Sequence, residues 1–215
     1  MPKVITASLT GVTLLYTFQF YGVKYSSAAH GGVLVNTNVL FIVILSVIFL
    51  KEKLNFEKVV GIFSGFTGVF LIISPNLSFY FNAGDTLILL SAFSWAIYSI
   101  IGKKLMEEYD AITITTYTFI IGTLAFIPFL NFPEKISLKS WICILYLSIL
   151  CSVFGYVAWY MALEKMEASK VAVYLNLIPL FSILLAFFIL KEAIAPSIIA
   201  GAILIMVGIY LTEKA

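Results

Sequence analysis

The sequence predicts an all-α, polytopic membrane protein with eight transmembrane helices, and three observations carry that expectation. The 215 residues are 62% hydrophobic and 11% charged, with a mean hydropathy of +1.08, where a soluble domain carries about a quarter charged residues. The charges cluster, leaving uncharged windows at 4–23, 25–50 (which holds His30), 59–84, 86–102, 111–133, 140–163, 171–190 and 193–212. Each can hold the roughly 17–25 mostly apolar residues of one bilayer crossing. Runs such as VLFIVILSVIFL (39–50) lack the alternation that strands of a membrane barrel need.

Taken in order, the first helix covers 4–23. It has the look of a signal peptide, with SSAAH as a small-residue cleavage region, but it aligns with the mid-chain helix at 145–163, Tyr16 falling on Tyr156. It is therefore read as a mature span. The second and third helices cover 28–50 and 57–74, and the remaining five cover 84–104, 111–130, 140–162, 168–190 and 194–212. The links between them are short and carry nearly all the charge, as in KEKLNFEK (51–58) and GKKLMEEYD (102–110). None is long enough for an extramembrane domain.

Orientation follows from the lysines. With Met1 on the cytoplasmic side, the inside segments hold nine Lys and the outside segments four, which favours an inside N-terminus; a multi-pass protein of the cell membrane is expected. All 13 basic residues are Lys and the net charge is only +2, so the basic patch that nucleic-acid binding needs is missing. Cys143 and Cys151 lie about 12 Å apart along one helix, too far for a disulfide.

The chain also repeats itself. Shifted by 140 residues, positions 28–71 match 168–211 without a gap, with 12 identities in 44 positions. Ala28 falls on Ala168, Asn36 on Asn176, Leu50-Lys51-Glu52 on Leu190-Lys191-Glu192, Gly61 on Gly201 and Gly68 on Gly208. Between Lys51 and Lys191 the chain crosses the membrane five times, so equivalent points lie on opposite faces and the copies are inverted. Inverted repeats that hold a solute between them near the midplane are a building plan of secondary transporters. The second copy has five helices and the first three; counterparts of the helices at 84–104 and 111–130 would precede Met1 by about 55 residues.

GDTLILLSAFSWAIYSIIGKKL (84–105) resembles the opening helix of an EamA repeat of the drug/metabolite transporter superfamily, with Gly-Asp before the helix, Trp-Ala-x-Tyr within it and a basic exit. ASKVAVYLNLIPLFSILLAFFILKEAIAPSIIAGAILIMVGIYL (168–211) is similar to the end of such a repeat, including Pro179 as a kink and Glu192 after the helix. Residues 27–72 resemble it too, with Val39 in place of that Pro. The resemblance implies ten helices in two five-helix repeats and transport of small metabolites, often export. On that plan residues 1–75 are a partial first EamA repeat, 84–212 a complete second one, and the chain holds helices three to ten.

Polar side chains at membrane depth tend to face a cavity or the bundle interior. Asn36 and Asn176 would present two amides near the pseudo-twofold axis, as cavity lining or as interhelical glue. Tyr16 with Gln19, Tyr156 with Trp159, and Trp95 with Tyr98 are aromatic-rich pairs one turn apart, suited to a solute that offers apolar area and a polar handle. His30, the sole His, is a candidate proton carrier or a solvated interfacial residue. Glu52 and Glu192 are read as caps on the helices that follow them, and Asp85 likewise. Gly61, Gly65, Gly68, Gly201 and Gly208 form small-residue packing faces.

No catalytic, cofactor or metal site is expected: a membrane enzyme needs clustered acids, His pairs or a nucleophile with a positioned base. A phosphorylated solute would call for Arg or Lys in the cavity, so a neutral or zwitterionic, amino-acid-like substrate is expected. The alternative is a non-transporting remnant or membrane assembly partner.

Overall fold

A computed structural model describes residues 1–26, 28–73, 81–129, 136–191 and 196–215, the side chains of 28–30, 186 and 190 excepted. Every element among these is helical. Seven helices are long and apolar enough to cross a membrane: α1 (Pro2–Tyr25), α2 (Gly31–Leu50), α3 (Phe56–Ile73), α4 (Ala83–Leu105), α6 (Leu138–Lys165), α7 (Ala168–Ile189) and α8 (Pro196–Lys214). Between the fourth and fifth of these lies the shorter apolar helix α5 (Ala111–Leu124).

The helix expected over 111–130 is thus cut short. Pro128 has no N–H to give the carbonyl of Leu124 and disfavours helical backbone at Ile127. The α-helix stops with Ala125 as its C-cap, and a single 3₁₀ turn follows at Ile127–Phe129. At its other end Asp110 caps the helix, accepting the Thr113 N–H at 2.9 Å and the Thr113 hydroxyl at 2.8 Å. Those bonds hold its carboxyl below the usual carboxylate range.

α4 is the central strut. It packs along α1 and α2 and also meets α6, and more than half of its apolar window is buried. Small residues make this possible: Ser91, Ala92, Ser94, Ala96, Ser99 and Gly102 are all buried along it. The buried hydroxyls bond back to their own helix, Ser91 to Ile88 and Ser99 to Trp95 at 2.8 and 2.9 Å. Its entry is a capping box: the Asn82 side chain accepts the Asp85 N–H and the Asp85 carboxylate accepts the Asn82 N–H. Asp85 therefore lies inside the first turn rather than before it, and Ser26 also donates to it.

α3 and α8 pack backbone against backbone along their length, and glycine is the reason. A Cβ on Gly61 would lie 2.7 Å from the Gly208 carbonyl oxygen, and one on Gly68 would lie 2.5 Å from that of Gly201. The reciprocal contacts, Gly208 to Gly61 and Gly201 to Gly68, are as close, at 2.5 and 2.6 Å. Between them Ser64 donates to the Leu204 carbonyl at 2.9 Å, across a spacing of 140 residues. Backbone irregularities share that spacing. Wide π turns occupy Ser46–Leu50 and Ala186–Leu190, and each ends on a Lys in the left-handed conformation, Lys51 at φ 58° and Lys191 at φ 59°.

Candidate solute site

Five of the predicted aromatic residues meet in one cluster. α4 supplies Trp95 and Tyr98, α6 supplies Tyr156 and Trp159, and α1 supplies Tyr16. The Trp95 ring lies 5.2 Å from Tyr156, 5.4 Å from Trp159 and 5.5 Å from Tyr98 between centroids. The Tyr156 hydroxyl donates to the Gly11 carbonyl at 3.0 Å and lies 3.3 Å from the hydroxyl of Tyr16, its equivalent 140 residues earlier. Trp159 donates its indole N–H to Ser99 at 3.2 Å, whereas the buried Trp95 N–H has no acceptor among the described residues. Gln19 is half-buried, one turn beyond Tyr16 on α1.

The sequence reading missed three members of this cluster. Tyr160 is fully buried with its ring 5.2 Å from Tyr98, and Phe119 of α5 lies 4.8 Å from Tyr156. Ser99 anchors Trp159. Tyr160 stands one turn beyond Tyr156, so the aromatic spacing on α6 was the available signal. Ser99 and Phe119 gave none, because a hydroxyl or a ring among apolar residues looks the same whether it faces lipid or the core.

The two asparagines differ. Asn36 interrupts α2 between two helical runs, and its amide donates back to the Gly32 carbonyl at 3.2 Å while Thr37 donates to Leu34 at 2.6 Å. Such local side-chain bonds compete with the helical ladder, so this helix breaks without the proline its counterpart carries. Asn176 closes a 3₁₀ turn at Tyr174–Asn176 within α7. The buried Pro179 follows one turn later and denies an N–H to the Leu175 carbonyl, so the kink is seated at 174–176. Asn176 is wholly buried, and among the described residues neither its amide nitrogen nor its oxygen has a protein partner. It lies over Gly65, whose added Cβ would come within 2.5 Å of the amide nitrogen. Gly65 is thus the floor beneath Asn176 as well as part of a packing face.

Glu52 caps a helix, but not the α3 that follows it. Its carboxylate accepts the N–H groups of Ala168 and Ser169 at the start of α7, at 2.6 and 3.1 Å. The reach across the bundle follows from Lys51, whose left-handed backbone turns the chain away from α2. Glu192 and the side chain of His30 lie outside the described residues. Cys143 and Cys151 are free and exposed on α6. Among the described residues no group of three His, Cys, Asp or Glu side chains is placed to hold a metal.

Comparison with known proteins agrees with this architecture. The family model described as "EamA-like transporter family" matches residues 2–74 and 82–213. Two proteins of Archaeoglobus fulgidus, each called an uncharacterized transporter, are 39% and 35% identical; the alignments cover 95% and 100% of this chain and 73% and 78% of theirs. The uncharacterized transporter YyaM of Bacillus subtilis is 28% identical over 95% of this chain and 70% of its own. A solved crystal structure superposes with a TM-score of 0.84 at 19% identity, over 99% of this chain and 76% of that one, a likeness of fold.

Proposed function

The chain belongs to the EamA-like transporter family, and from that premise we propose that it moves a small neutral or zwitterionic, amino-acid-like solute, outward, by alternating access. The observation that carries the reading is Asn176, an amide buried at membrane depth with both ends unpaired. A buried polar group without a partner costs about 1–3 kcal/mol, a cost that a solute with its own donor and acceptor removes on binding. The aromatic cluster, in a core that also takes in Val173 and Leu175 of α7, supplies apolar area. Among the described residues the Trp95 N–H and the Tyr98 and Tyr160 hydroxyls of the cluster, and the Asn176 N–H beside them in α7, are donors without a partner; they favour a neutral or carboxylate acceptor, and no Arg is available for a phosphate.

Two inverted repeats, 1–75 and 84–212, frame the path. In support, the close contacts of α3 with α8 are self-reciprocal under the 140-residue shift, as a twofold axis requires, and both Ser64–Leu204 and Tyr16–Tyr156 are contacts of a residue with its own equivalent. The cell membrane, with Met1 inside, fits the lysine distribution.

Reconstituted protein should show saturable counterflow of such solutes, and Asn176→Ala should lower it at least tenfold. Unchanged counterflow in that variant removes Asn176 from the site. A second reading, an assembly partner in a larger membrane complex, draws on α6, of which only 6% of the apolar window is buried; absence of saturable counterflow of any such solute favours it.

A further inference from the structure

The turn between α6 and α7 is gripped from three sides by residues that stand outside the aromatic cluster. Glu52, between α2 and α3, holds the N–H groups of Ala168 and Ser169 and the Ser169 hydroxyl. Lys58, in the first turn of α3, is only 2% exposed; it pairs with Glu167 and donates to the Lys53 carbonyl at 3.3 Å. Lys103, in the last turn of α4, donates to the carbonyls of Leu163 and Met166. Elements from both sides of the bundle thus converge on residues 163–169.

The far ends of the α6–α7 hairpin are held far less. Residues 138–151 of α6 are exposed throughout, as are Phe181, Ser182, Leu184, Leu185 and 187–189 of α7. The hairpin is fastened at its turn and loose at its far ends. Leu163 and Ala168 of the turn and Ala172 one turn further along α7 are fully buried, and one turn before Leu163 on α6 stand the buried Trp159 and Tyr160 of the aromatic cluster. The fastening therefore sits between the cluster and the lysine-rich face.

Its chemistry is of a kind that opens. Cavities of 320 and 530 Å³ flank the grip, the first lined by Glu52, Lys103 and Glu167 and the second by Glu52, Lys58 and Glu167. Water reaching these groups can replace the bonds they lose, which buried apolar packing does not permit. The equivalents of Lys58 and Glu167 in the other copy are Ile198 and Ser27, so the ionic arm belongs to one end of the molecule.

We propose that this three-point clasp is the gate that closes the lysine-rich end of the solute path, with Glu52, Lys58 and Lys103 setting how often it opens. The inference rests on the alternating-access reading above. The test uses protein in which Cys143 and Cys151 are replaced by Ser and Ala172 by Cys, in sealed vesicles, with a charged, membrane-impermeant maleimide added to one face at a time. Glu52→Ala and Lys58→Met should each speed labelling of residue 172 about tenfold, the order expected for losing a hydrogen bond to a charged group, and only from the lysine-rich face. The paired exchange Lys58→Glu with Glu167→Lys should bring the rate back toward the parent. Unchanged labelling in variants that elute as the parent does, or an equal rise from both faces, overturns the gate and leaves a static cap. A well-folded exchange pair that labels as fast as Lys58→Met overturns the ionic arm. Labelling that responds in a protein without saturable counterflow upholds the clasp and removes the transport reading instead.

Discussion

Asn36 and Asn176 occupy matched positions, and their surroundings predict opposite costs. Asn36 spends its amide on the Gly32 carbonyl, so Asn36→Ala should lower stability by about 1 kcal/mol, the net worth of one ordinary hydrogen bond. Asn176 has no side-chain bond among the described residues to lose, and Asn176→Ala should leave stability unchanged or raise it by about 1 kcal/mol while solute counterflow falls. Unfolding midpoints in detergent, read beside counterflow, check the pair; a large loss of stability in Asn176→Ala would show that the amide is structural. The glycines divide in the same way. Gly208→Ala drives a Cβ to 2.5 Å from the Gly61 carbonyl, backbone that cannot step aside, and should cost about 1–3 kcal/mol of overpacking. Gly155→Ala meets nothing closer than 3.7 Å and should be neutral or slightly stabilising, since Gly is the poorer helix former by about 1 kcal/mol. Thermal unfolding of the two variants should therefore shift in different directions.

Among elements, α7 owes its break to proline and α2 owes its break to side-chain competition. Pro179→Ala restores an N–H for the Leu175 carbonyl and removes the ring clash, so the 3₁₀ turn at Tyr174–Asn176 should rewind to α-helix. The expected result is a higher unfolding midpoint with a lower turnover; unaltered turnover would show that the break plays no part in transport. Introducing the missing proline by Val39→Pro removes a single bond, Val39 N–H to Asn36 O at 3.2 Å, and should be tolerated at about 1 kcal/mol. These elements also mark what was legible beforehand. Helix positions were, because each span is announced by an uncharged run with charges at both ends. The early end of α5 at Leu124 was written in Pro128, but an uncharged run to Pro133 hid it. The cap that Glu52 places on α7 was not legible at all: a carboxylate at the end of one helix says nothing about which of several neighbouring N-termini it reaches. The aromatic cluster was half visible, since pairs one turn apart on α1, α4 and α6 fix faces within a helix but not which faces meet.

At the scale of the molecule, the fold turns on whether the two copies are inverted. Reciprocity at α3 and α8 is the physical argument: Gly61 meets Gly208 while Gly68 meets Gly201, and Ser64 meets Leu204 between them. Two parallel copies side by side would pair Gly61 with Gly201 instead. Antiparallel packing of equivalent helices puts equivalent ends on opposite faces of the bilayer, which makes Lys51 and Lys191 sidedness markers of one another. Both sit in the same left-handed conformation at the end of a π turn, so a reporter at either one samples the same local geometry and differs only in side. With Cys143 and Cys151 replaced by Ser, single cysteines at position 51 and at position 191 should be modified by an impermeant thiol reagent from opposite faces, the first from inside and the second from outside. Modification of both from one face would put an even number of crossings between them, and the axis, the solute path beside it and the clasp at its lysine-rich end would all have to be abandoned together.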